Sequence, residues 1–140
     1  MSLLSALKTY LKTNTSVAAL AAVFVDFMGE EPDQLAIIPI PGNRVIETYI
    51  NGNSKRAFPF AIQSVESTAD ELGRIQNSGF YEDLSEWFES QTKAGVLPTL
   101  GTGKTAESIE TMGWAYLFAQ GQSQTGIYQV QCRLVYRQIA

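Results

Sequence analysis

Leu3, Leu4, Leu7, Tyr10 and Leu11 recur at the three-to-four-residue spacing of one helix face, with Lys8 and Lys12 off it. Residues 2–13 are therefore expected to form an amphipathic helix. Asn14, Thr15 and Ser16 break the pattern, and residues 17–22 have the composition of a second helical turn. Residues 23–27 (VFVDF) are β-branched and aromatic and predict a strand. If Val23, Val25 and Phe27 face the core, Asp26 lies on the other side with Phe24. A turn is expected over 29–34 (GEEPDQ) and a second strand over 35–40, which Pro39 and Pro41 confine to a sheet edge or a strand end. Residues 44–50 and 55–65 are further strands. Between them Asn51-Gly52-Asn53-Ser54 supplies the positive φ angles of a tight hairpin turn.

In the second half, Thr68-Ala69-Asp70-Glu71 fits a capping box and should open a helix. Gly73 and Gly79 are expected to interrupt that stretch, leaving 80–92 as the better helix. There Phe80, Leu84, Trp87 and Phe88, with Tyr81, form an aromatic stripe, and Glu82, Asp83, Glu86 and Glu89 fall elsewhere. A long loop follows over 95–105 (GVLPTLGTGKT). Residues 108–118 alternate, with Met112, Trp114, Tyr116 and Phe118 on one face, expected to be the core face. After a turn at 121–126, residues 127–136 alternate again, with Val130, Cys132, Leu134 and Tyr136 inward and Gln129, Gln131, Arg133 and Arg137 outward. These two strands should form an antiparallel hairpin. The order of elements predicts an α+β fold: a mixed, mostly antiparallel sheet flanked by an N-terminal helix and a central helix. With no internal repeat and no linker, residues 1–140 read as one domain.

Composition narrows the chemistry. The chain has no histidine, which removes Ser–His–Asp and Cys–His catalysis and the usual zinc sites. Cys132 is the only cysteine, so no intrachain disulfide can form and a reducing compartment is expected. The net charge of −4 argues against a dedicated nucleic-acid binder. Charged residues make up 17%, below the usual ~25%. The resulting neutral polar surface suits contact with other proteins, because neutral groups cost less to bury than charges. The apolar run 17–28 is shorter than the ~20 residues a membrane span needs, and neither a span nor a cleaved signal peptide is expected.

Individual motifs add little chemistry. Gly101-Thr102-Gly103-Lys104-Thr105 ends like a phosphate-binding loop, but that motif needs glycine where Pro98 stands and must open a helix, whereas the residues after it alternate like a strand. Glu30, Glu31 and Asp33 lack the spacing of a calcium loop. Cys132 reads as a buried structural thiol. Arg133 and Arg137, the basic features besides Lys55-Arg56, read as salt-bridge partners within or between subunits. No cofactor, metal or catalytic residue is expected.

The layout as a whole resembles the small minor capsid or tail-completion proteins of bacteriophages with long non-contractile tails, tail terminators in particular. The resemblance rests on LLSALKTYLK, FPFAIQSVESTADEL, FYEDLSEWFESQ, LPTLGTGK, GWAYLFAQ and YQVQCRLVY, none of which is a catalytic signature. It implies a virion protein of the tail or neck, assembled in the bacterial cytoplasm: a hexameric ring that caps the tail tube, meets the head connector and lets DNA pass without binding it. No site residue carries over from the family. The loop and strand positions Pro41, Arg44, Leu97, Leu100, Lys104, Gln122, Gln124, Arg133 and Arg137 are candidates for ring and tube contacts. The alternatives are a head-completion or connector protein, a small binding module docking through the Met112–Phe118 face, and a hydrolase working without histidine.

Overall fold

The fold is seen in a computed structural model, which describes residues 3–14, 22–25, 34–41, 45–67, 71–120 and 125–139. In chain order the elements are α1 (Leu3–Leu11), β1 (Ala22–Val25), β2 (Gln34–Pro39), β3 (Val45–Thr48), β4 (Ser54–Ser67), α2 (Glu71–Ala94), β5 (Lys104–Thr111), β6 (Tyr116–Gln120) and β7 (Thr125–Gln138). This is the α+β arrangement the residue pattern predicts.

β4 and β7, 14 residues each, are paired antiparallel along their whole length, from Ser54 opposite Gln138 to Ser67 opposite Thr125. The other strands attach to this ladder. Along the free side of β4, β2 covers residues 60–64 and β3 covers 54–56, end to end. Along the free side of β7, β5 covers 132–138 and β6 covers 126–129. β1 runs parallel to β2 and makes the sheet mixed. Pro39 sits at the end of β2, beyond the reach of β1, where its missing N–H breaks no ladder bond.

Both helices lie on one face of the sheet. Leu7 and Leu11 of α1 and Tyr81, Leu84 and Phe88 of α2 meet Leu35, Ile37, Phe60, Ile62, Val130, Cys132, Leu134 and Tyr136 in one buried cluster. Each large apolar side chain in it contributes about 1.5–3 kcal/mol by leaving water. The helices touch each other through Tyr10 and Trp87, whose ring centroids are 5.1 Å apart. The Tyr10 hydroxyl donates to the Val96 carbonyl at 2.9 Å, tying α1 to the chain just after α2. Polar ties from α2 to β5 run from Thr92 Oγ1 to both the N–H and the carbonyl of Ile109, and between Ser85 and Thr111.

Several expectations are corrected. α2 is one continuous 24-residue helix, uninterrupted at Gly73 and Gly79. A glycine costs a helix only about 1 kcal/mol, less than the burial of Tyr81, Leu84 and Phe88 supplies. The helix stops at Gly95 (φ 74°) in a Schellman motif: Val96 N–H donates to Gln91 and Gly95 N–H to Thr92. The following loop ends at Gly103, because Lys104 and Thr105 already belong to β5. The strand expected over 108–118 is two strands, broken at 112–115. Gln129 lies on the outward face, as its alternation predicts, and is buried there. Ala22, placed by its sequence in a helical turn, begins β1. The capping residues 68–70, the acidic turn Glu30, Glu31 and Asp33, the side chain environment of Asp26, and residues 121–124 lie outside the described residues. Among the described residues no helix is long and apolar enough to cross a membrane.

Candidate functional site

Cross-strand partners share a sheet face. The face opposite the helices therefore carries the pairs Lys55/Arg137, Ala57/Val135, Pro59/Arg133, Ala61/Gln131 and Gln63/Gln129. Among the described residues no helix covers it. On its floor the short side chains of Ala57 and Ala61 are buried among longer neighbours. One wall is β3, where the register shift between Val45 and Glu47 bulges Ile46 outward. The other is the break after β5, where Met112 N–H donates to the Gln131 carbonyl at 2.7 Å and ends that strand. The result is a groove of about 460 Å³ lined by Pro41, Val45, Ile46, Pro59, Met112 and Arg133, among others.

The walls are apolar and wet. Val45 is 44% exposed, Ile46 45% and Met112 54%, and Trp114, beyond the groove lining, is 79% exposed. This overturns the inward placement of Met112, Trp114 and Tyr116. In β5 Ile109 pairs opposite Leu134 and faces the core, so Glu110, opposite Arg133, and Met112, two residues on, share the helix-free face. Trp114 follows the bend at Gly113, and Tyr116 pairs opposite Gln129 on that same face. There Gln63 Nε2 donates to Gln129 Oε1 at 2.6 Å, and Gln129 Nε2 donates to the Tyr116 hydroxyl at 2.7 Å. That chain satisfies the buried glutamines and fixes the Tyr116 ring.

The two arginines on this face are paired with glutamates of β5. Arg133 makes a forked contact to Glu110 through Nε and a terminal nitrogen, and Arg137 lies 3.6 Å from Glu107. The Arg137 guanidinium also sits over the Tyr49 ring, 5.7 Å from its centroid. Both arginines are thus held by strand neighbours, as salt bridges within the chain.

The other sequence-derived candidates are scattered. Pro41 is exposed at the rim of the groove. Leu97 is half-buried and packs against the core. Leu100 is a correction: at 4% exposure it belongs to the core cluster, because the loop after α2 turns its apolar side chain in. Lys104 opens β5 opposite Gln138, after a turn in which Gly103 takes φ 80°. A strand at this lysine, where a phosphate-binding loop requires a helix, removes the nucleotide reading. Arg44, Gln122 and Gln124 lie outside the described residues. Val45, Ile46, Ala57, Pro59 and Met112 are among the groove residues missed in the sequence. The signal for Met112 is its alternation in step with polar Ser108 and Glu110 rather than with Ile109.

Elsewhere, Cys132 is fully buried, its thiol donating weakly to the Val130 carbonyl, and burial pushes its pKa far up, so the thiolate nucleophile is suppressed. Glu82, Asp83, Glu86 and Glu89 are exposed along α2. Among the described residues no three His, Cys, Asp or Glu side chains converge. Comparison with known proteins finds no matching family model and no matching curated relative.

Proposed function

We propose that this chain is a structural subunit that works by assembly: a tail terminator of a long-tailed bacteriophage, forming a hexameric ring that caps the tail tube and joins it to the head connector. The observation that carries the assembly part is the helix-free sheet face, where exposed Val45, Ile46 and Met112 wall a groove whose arginine, Arg133, is already paired with Glu110. Exposed apolar patches bordered by neutral polar groups mark protein contact sites. Met, Trp, Tyr and Arg are enriched in such interfaces and unpaired charge is depleted. The terminator part rests on the resemblance of the sequence layout. The net charge of −4 suits a ring through which DNA slides without adhering.

A second reading, a small module docking a single partner through residues 112–116, has the exposure of Met112 and Trp114 in its favour. The two are separated by polymerising tail-tube protein in the presence of the purified chain. The terminator arrests tubes at shorter lengths in proportion to its concentration and is found at their ends. A module that leaves tube length unchanged, or decorates the sides, contradicts the terminator reading.

A further inference from the structure

The turn that joins β3 to β4 is built rigidly, yet presents an apolar side chain to water. Tyr49 N–H donates to the Asn53 carbonyl at 2.8 Å, Gly52 N–H donates to the Tyr49 carbonyl at 2.9 Å, and Gly52 takes φ 90°. Asn53 N–H donates to Asn51 Oδ1, the Tyr49 hydroxyl donates to Glu47, and Arg137 lies over the Tyr49 ring. Turns are polar by default. Here the residue at the apex is Ile50, at 110% relative exposure more open than an extended chain would leave it. An isoleucine held out by this many contacts is a preordered knob, and preordering lowers the cost of docking.

The knob cannot reach its own groove. The turn lies at the Ser54 end of the ladder, and the groove is centred on Pro59, five residues along β4 or about 17 Å at the rise of a strand. β3 is paired to β4 between them. We infer that the 49–53 turn of one copy seats Ile50 in the Val45–Met112 groove of the next copy. The match is one of chemistry. A neutral turn with a single aliphatic tip meets a groove of about 460 Å³ whose walls are Val45, Ile46 and Met112 and whose arginine is already paired with Glu110. Two different patches of one molecule meeting in this way form a heterologous contact, the type that closes rings. The inference rests on the assembly reading above and supplies its interface.

Disulfide trapping tests it, since the natural Cys132 is buried and does not compete. Ile50→Cys and Met112→Cys chains are oxidised mildly, separately and mixed, beside a Glu89→Cys control at an exposed helix position. The mixture is expected to give a 50–112 heterodimer roughly tenfold above the control, and the doubly substituted chain a ladder of covalent multiples. Ile50→Asp is expected to raise the concentration needed for assembly roughly thirtyfold while leaving the melting transition in place. A 50–50 product instead, or a mixture no better than the control while wild type assembles, overturns the knob-and-groove contact and leaves the assembly reading standing. A wild-type chain that stays a single copy alone and with tube protein overturns both.

Discussion

Tyr10 shows how much one side chain can decide. Its ring is buried between the two helices, and desolvation, partly offset by a hydrogen bond with Gln91, pushes its hydroxyl up to about 12 from the ordinary 10.0. A group whose pKa is higher folded than unfolded adds stability that is fully present below the unfolded value and is lost as pH rises through the folded one. Wild type should therefore lose stability between pH 10 and 12 in denaturant titrations. Tyr10→Phe, which cannot ionise, should show a shallower loss over that window, and equal slopes would contradict the assignment. The position of Tyr10 on a buried helix face was legible from its spacing with Leu3, Leu7 and Leu11. Its bond to Val96 was not, because a contact across 86 residues leaves no local pattern. Leu100 failed for the reverse reason: a leucine in a glycine-rich loop looks like a surface contact until the core that receives it is known.

At the level of elements, periodicity predicted the strands that matter most. β4 and β7 alternate cleanly, and the placement of Cys132, Leu134 and Tyr136 inward with Arg133 and Arg137 outward follows from that alone. Two helix and strand boundaries were hidden by glycine acting in opposite senses. Gly79 lies within α2 without breaking it, whereas the chain bends at Gly113 and strand β5 ends. The difference is burial. Around Gly79 the helix is anchored by Tyr81, Leu84 and Phe88, while the residues flanking Gly113 have no core to hold them. A methyl group at Gly79 would meet nothing within 4 Å. Gly79→Ala should thus stabilise the protein by about 0.5–1 kcal/mol through reduced freedom of the unfolded chain, raising the melting temperature by a few degrees. A lowered melting temperature would show that α2 is not helical there.

For the whole molecule, the fold explains where an interface can lie. Both helices occupy one face, so the β4–β7 ladder offers its other face, and the strand ends laid along its flanks raise two walls over it. None of this could be read from the chain in advance, because the groove joins residues from four separate segments. The absence of histidine and the low charge pointed to contact rather than chemistry. They could not say which surface makes the contact. The central claim is assembly, and native mass measured over a range of concentrations, alone and with tail-tube protein, tests it most directly. The account predicts a single discrete species of six 15.4 kDa chains, formed spontaneously or on meeting the tube protein. A chain that remains one copy under both conditions would contradict it.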